Sequence, residues 1–265
     1  MKTMTCATLA ALLMGAAACN QVSTAKEAAA AGVNFEARPD LAEGVGALPR
    51  LVGEGAAGEG AAIAAINADL DRRDVAARAD GCDGGGGFER GVSQPMTGPG
   101  YISFWIAEGY FCEGTAHPSF DQTAVTYDLT TGQAVDWVTA APGLQLTRGD
   151  TTGLPADYVP GLSSPVLSAW YSAEASASAS ADPEFAEQCA DVWTPEALEG
   201  VGFKVWLDAQ AGGLSVGPEF PHVTQACADT ATLNAEEMRR FGVSPAIIDA
   251  VATAHATGGW APKDD

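Results

Sequence analysis

Four cysteines, Cys82, Cys112, Cys189 and Cys227, constrain this chain more than any other feature, because the segment in front of them reads as an export signal. Residues 1–18 carry Lys2, an apolar alanine-rich run from Ala7 to Met14, and the small residues Gly15-Ala16-Ala17-Ala18 before Cys19. That is the three-part layout of a secretory signal peptide. The apolar run is well short of the roughly 20 residues that span a bilayer, so the segment is set aside from the fold. Cys6 leaves with it. The four cysteines form an even set in an oxidising compartment, which reads as two disulfides. Their spacing lacks the close CxxC pairs of a zinc ribbon, so no metal is assigned to them. Three pairings can be drawn. The preferred one joins nearest partners, Cys82 with Cys112 and Cys189 with Cys227, closing loops of about 30 to 40 residues worth roughly 3 to 4 kcal/mol each.

Ala16-Ala17-Ala18-Cys19 resembles a bacterial lipobox, in which the cysteine is lipid-modified and becomes the new N-terminus. A leucine usually stands where this chain has Ala16, so plain cleavage after Ala18 stays open as the alternative. On the lipoprotein reading, Asn20 favours the outer membrane. The expected location is therefore the cell envelope, on the periplasmic side, with the membrane touched through the lipid on Cys19 alone. Loss of Lys2 leaves 12 Lys+Arg against 34 Asp+Glu, a formal charge of -22. Such a field repels nucleic acid and anionic lipid and favours cationic partners. The plainer reading of the same charge is solubility.

Residues 19–46 are rich in Ala and Glu without apolar periodicity, which predicts a flexible tether after the lipidated cysteine. The folded part is expected over 47–258, as one domain or as two lobes meeting near residue 112, with a tail from 259 to 265. A helix is predicted from Gly60 to Arg78, with Ile63, Ile66, Leu70 and Ala77 on one face and Asp69, Arg72 and Arg73 on the other. The glycine run 84–87 lacks the lysine and serine of a phosphate-binding loop and is read as a connector. Strands are predicted at Tyr101–Ile106, continuing to Cys112 after a bend, at Thr123–Leu129, and at Ala134–Val138 after the turn Thr130-Thr131-Gly132, forming an antiparallel meander. The Ser/Ala run 175–181 is read as a loop. Asp182-Pro183-Glu184 opens a helix. Val201–Leu207 and Leu214–Val216 form a hairpin about Gly212-Gly213. Asn234 to Glu237 has capping-box spacing, and Pro245–Ala254 presents Ile247, Ile248 and Val251 to a core. The fold class is α+β: antiparallel β-sheets with helices packed on them and two disulfides.

Two stretches carry a family likeness: "EGTAHPS" from Glu113 to Ser119 and "VTYDLTTGQAVDW" from Val125 to Trp137. A Gly-x-Ala-His-Pro loop leading into an Asp-Leu-x-x-Gly hairpin resembles the PdaC/RsiV-like domain. That domain is shared by an anti-sigma factor that senses lysozyme and a peptidoglycan deacetylase. "RLVGEG" followed by Ile66-Asn67 resembles its N-terminal half, and "GGLSVGPEFPHVTQAC" with Thr232-Leu233 its closing part, so the likeness runs from about Leu48 to Val251. It implies a helix packed on antiparallel sheet and a non-catalytic binding or sensing module for a cationic lysozyme-like protein. Neither a cytoplasmic sigma-binding segment nor a deacetylase domain is read here, so the likeness leaves direct transcriptional signalling open.

The candidate binding loop is Glu113 and His117 with Tyr110 and Trp105. His117, between Ala116 and Pro118, also fits a turn residue whose ring bonds a backbone group. His222 and His255 are distant in sequence, and three histidines need carboxylates to complete a zinc site. Gly213-x-Ser215-x-Gly217 matches the serine-hydrolase elbow, but Pro218 and Pro221 follow a glycine turn where a helix is required, so the segment reads as a hairpin strand. Glu108 and Glu113 flank an aromatic strand and could serve a glycosidase. Tyr101, Trp105, Tyr110 and Phe111 form either a binding platform or buried core. No catalytic residue, metal or cofactor is assigned. The rival expectation is an envelope enzyme or peptidoglycan-binding accessory protein.

Overall fold

A computed structural model describes residues 33–53, 59–79, 86–154, 158–178 and 183–260. Helix α1, Glu59–Ala79, forms where the apolar 3.6-residue period predicts it, and Ile66 and Leu70 are fully buried. One buried polar residue on that face has a defined task. Asn67 accepts from the backbone N–H of Leu51 at 2.8 Å and donates to its carbonyl at 2.9 Å. A mid-helix amide thereby satisfies the strand packed on it. That strand, β2 (Arg50–Val52), pairs antiparallel with β1 (Asn34–Glu36), Phe35 opposite Leu51.

The expected tether is consequently shorter than predicted. Residues 33–46 carry β1, and Arg38 reaches the α1 carboxylates Asp71 at 2.6 Å and Asp74 at 3.2 Å. Asp74 is buried and ion-paired with Arg90 at 2.7 Å, both side chains being nearly inaccessible to water. Arg90 also bonds the carbonyl of Gly46 at 2.9 Å and lies 3.1 Å from Glu108. The N-terminal segment, α1 and the sheet therefore meet at one charged node.

Three long strands, β3 (Gly86–Gly98), β4 (Tyr101–Cys112) and β5 (Ser119–Asp128), form an antiparallel sheet in that order. β4 runs without the expected bend. β3 is the member that glycine and proline conceal: Gly86 and Gly87, expected in a connector, open it. Pro95 sits at a register shift between Ser93 and Met96. Proline has no N–H to give a ladder and is tolerated at such irregularities, and here its carbonyl accepts from Ala209 at 3.0 Å. The strand expected at Ala134–Val138 shrinks to one bridge, Ala134 with Tyr127. The Asp136 carboxylate caps the next backbone, accepting from Val138 N–H at 3.1 Å, and starts the short helix α2 (Trp137–Ala140).

One face of this sheet buries Ile102, Phe104, Ile106, Val125 and Tyr127 against Leu48, Leu51, Ile66 and Leu70. The opposite face meets a second sheet of β6 (Thr147–Arg148), β7 (Leu162–Ser163), β8 (Phe203–Asp208), β9 (Gly213–Pro218) and β10 (Ala231–Leu233). Its order is β10-β9-β8-β7-β6, with every neighbour antiparallel. Between the sheets Ser103 and Thr126 share a 2.8 Å hydrogen bond, Thr126 accepts from Leu207 N–H at 3.3 Å, and Trp105 rests on Trp206 with ring centroids 4.5 Å apart.

Four helices surround the second sheet: α3 (Pro165–Ser178), α4 (Pro183–Cys189), α5 (Ala235–Arg240) and α6 (Pro245–Thr257). Leu167, Trp170, Tyr171, Trp193, Phe203, Leu207, Val216 and Ile248 belong to their shared core. α3 corrects the loop expected at 175–181, whose residues 179–181 lie outside those described. Alanine is the strongest helix former, and the helix continues through Ser178. The capping box of α5 forms as expected, Asn234 accepting from Glu236 and Glu237 N–H while Glu237 accepts from Asn234 N–H at 3.0 Å. α6 packs on β3 at Gly98, where a Cβ would stand 3.0 Å from that of Ala254.

Cys189 is bonded to Cys227, joining α4 to a 3₁₀ helix, His222–Cys227. Among the described residues this is the one complete disulfide. Cys112 is itself disulfide-bonded, and its expected partner Cys82 lies outside the described residues, as do Cys19 and the signal segment.

Candidate functional site

Successive residues of a strand point to opposite faces and paired residues share one, so the register decides what the end of the three-stranded sheet presents. Phe120 stands opposite Gly109, and Phe111 opposite Gly87. Ala107, Gly109 and Phe111 of β4 therefore share a face with Phe120 and Gln122 of β5. Nearer β8, the same face carries Trp105 and Ser103, which the second sheet covers. Beyond that cover, Phe111 and Phe120 are 41% and 56% exposed and meet edge to face at 6.0 Å. They lie over Gly109, where a Cβ would stand 3.2 Å from the Phe111 ring and 3.4 Å from that of Phe120. Glycine thus lets two rings close over the strand, leaving an aromatic surface open to water.

The loop between β4 and β5 folds back as a turn, Thr115 donating to the Cys112 carbonyl through both N–H, at 3.3 Å, and hydroxyl, at 2.8 Å. His117 then stacks on His222, centroids 5.5 Å apart and planes 24° from parallel. Both are exposed, and Val223 beside them is 87% exposed. The backbone bond expected for His117 is instead made by the third histidine, His255, whose Nδ1 lies 2.7 Å from the Ala209 carbonyl.

The four residues expected to form one loop are dispersed. Glu113 and His117 are exposed on the turn. Tyr110 is half-buried on the sheet face opposite Phe111, beside Phe88 at 5.0 Å. Trp105 is half-buried against Trp206 and belongs to the packing between sheets. Tyr101 is half-buried against the second core, so of the four aromatics weighed as a platform, Phe111 is the one left open. Phe120, His222 and Val223 were not anticipated. The signal for Phe120 was a large apolar residue in the polar phase of the alternation that buries Val125 and Tyr127.

The catalytic patterns resolve into structure. Ser215 is fully buried in the middle of β9 and shares a 3.0 Å hydrogen bond with Thr232, in the hairpin its prolines predicted. Glu108 is engaged by Arg90, so it does not form a solvated carboxylate pair with Glu113.

A second concave region lies beside α1. A cavity of about 530 Å³ is lined by Asp69, Arg72, Arg73, Tyr158 and Val159, and a smaller one of about 120 Å³ by Arg73, Thr126, Trp137, Arg148 and Lys204. Every cation named there faces a carboxylate: Arg72 and Arg73 with Asp69 at 2.5 and 3.1 Å, Arg148 with Asp136 at 2.5 Å, Lys204 with Glu219 at 2.8 Å. Tyr127 donates its hydroxyl to Asp69, and burial pushes that phenol above its ordinary range. Burial pushes the Asp69 carboxyl upward too, but the Arg73 charge and the Tyr127 hydroxyl outweigh it and hold the group below its usual value. The Tyr127–Asp69 bond ties β5 to α1, and the pairings together leave little charge to offer a ligand.

No family model matches this chain, and no curated protein matches it.

Proposed function

We propose that this chain is a PdaC/RsiV-like module of the cell envelope that captures a cationic protein through the open aromatic end of its three-stranded sheet. The observation that carries the reading is the Phe111–Phe120 pair, exposed over Gly109 on a chain of net charge -21. Exposed aromatics on a strongly acidic chain are what an interface with a basic protein needs. The rings supply buried area and cation–π partners. The chain's excess of carboxylates supplies steering and a salt-sensitive association rate.

In this reading Cys19 carries the lipid, the chain hangs on the periplasmic side of the outer membrane, and Cys82 pairs with Cys112, the last residue of β4. Lysozyme-like muramidases are the basic partners that the family likeness suggests. A second reading is favoured by the same pair: phenyl rings also stack on sugars, which suits a peptidoglycan-binding accessory.

Calorimetric titration of the protein beginning at Asn20 separates them. Binding to a lysozyme that weakens strongly between about 50 and 300 mM salt and disappears in Phe120→Ser supports the first. Salt-insensitive binding of peptidoglycan fragments supports the second. Heat from neither ligand sinks both.

A further inference from the structure

Two of the three histidines in the sequence come from segments far apart in the chain, yet they meet on the surface. Neither ring has a hydrogen-bond partner among the described residues, whereas His255 is held to a carbonyl.

Each member of the pair is set on a restrained backbone. His117 precedes Pro118, and His222 follows Pro221, whose φ of -56° and ψ of 153° begin the 3₁₀ helix. That helix ends at Cys227, tied to Cys189, and the β4–β5 hairpin springs from the disulfide-bonded Cys112. Proline and cross-links reduce the conformational freedom lost when such side chains are fixed. Both imidazoles are exposed and can rotate about χ1 and χ2 without opening the core.

We propose that His117 and His222 form a two-histidine site for a divalent first-row transition-metal ion of the imidazole-preferring kind, Zn²⁺, Ni²⁺ or Cu²⁺, with water completing the coordination. Metal–nitrogen bonds of about 2.0–2.1 Å need the two ligating nitrogens roughly 3–4 Å apart, a modest rotation from rings stacked at 5.5 Å. The net charge of -21 concentrates cations near the surface, and imidazole selects among them: borderline metals bind it, while Mg²⁺ and Ca²⁺ prefer oxygen and keep their water. Bound metal would bridge the β4–β5 turn to the 3₁₀ helix. Ligation requires neutral imidazole, so binding weakens on acidification. The site stands on its own residues and does not depend on which protein or glycan the aromatic surface takes.

The test is calorimetry of chelator-treated full-length protein with Zn²⁺ alone, and separately with Mg²⁺. The expected result is one Zn²⁺ equivalent whose affinity falls at least about tenfold in His117→Ala and in His222→Ala, is unchanged in His255→Gln, and is not displaced by excess Mg²⁺. A Zn²⁺ isotherm that both His117→Ala and His222→Ala leave unaltered, or Zn²⁺ heat no greater than that of Mg²⁺, overturns the site. Both residues are on the surface, so unchanged far-ultraviolet circular dichroism separates loss of metal from loss of fold.

Discussion

The three-stranded sheet passes through two environments along the same strands, and the contrast shows how context assigns the same residue types different work. Where it is covered, its polar and aromatic groups have partners. Ser103 meets Thr126, Thr126 meets Leu207 and Trp105 meets Trp206, while on the face turned to α1 Arg90 is held by Asp74, Gly46 and Glu108. At its open end, Phe111 and Phe120 contact each other and water. Substitutions at these covered positions or at their partners on α1 should damage the fold, and those at the open end should damage recognition alone.

The sharpest attempt to break this comparison is Asp74→Ala. It leaves Arg90 buried with half its charge partners gone, and removing one member of a buried pair typically costs about 3–5 kcal/mol. Urea unfolding should show a midpoint shift of that size with the denaturant slope kept. A shift below about 1 kcal/mol would place the node among dispensable surface pairs. Asn67→Leu follows. It keeps the side-chain volume but strands the N–H and carbonyl of Leu51, each buried unsatisfied group costing about 1–3 kcal/mol. The same unfolding series should show a loss of about 2 kcal/mol or more, with α1 itself preserved by circular dichroism.

Those two residues also mark where sequence reasoning stopped. Signals that are local in the chain were legible: the apolar stripe of α1, the Asn234–Glu237 capping box, the β8–β9 hairpin about Gly212-Gly213, and the alternation of β5. Each is a relation among residues a few positions apart. Asn67, Asp74 and Arg90 take their meaning from partners 16 or more residues away, and nothing in the local pattern distinguishes them from solvated polar groups. β3 was hidden because its glycines and Pro95 read as breakers, whereas its pairing with all of β4 overrides local preference. The Ser/Ala run failed the other way, since a composition that looks featureless is still helical once α3 buries Leu167 and Tyr171 beneath it. Phe111 was visible as an aromatic; that it is exposed and paired with Phe120 depends on where the second sheet stops.

A smaller effect is expected from acid. Asp69 has its folded-state pKa below the unfolded value, so the stability it adds is present above about pH 4 and is lost as pH falls through the folded value. The side chain is 19% exposed, and solvent screening keeps the contribution modest. The wild-type protein should lose more stability between about pH 5 and pH 3 than Asp69→Asn, measured by urea midpoints at each pH. Parallel profiles would assign the acid sensitivity to other carboxylates.

The smallest expected change in stability belongs to the residue on which the proposed function depends most. Phe120 is 56% exposed and meets the exposed Phe111, so Phe120→Ser should move the unfolding midpoint by no more than about 0.5 kcal/mol, the usual range for a surface site. A solvent-facing aromatic contributes little to a fold because its apolar surface is never removed from water. The same surface becomes valuable when a partner covers it, and loss of one such anchor from an interface costs about 2 kcal/mol or more. Binding lost with stability kept would locate recognition at the open end. If Phe120→Ser instead lowered stability by the amount seen for Asn67→Leu, the two ends would differ in degree alone, and the aromatic pair would count as an outlying part of the core.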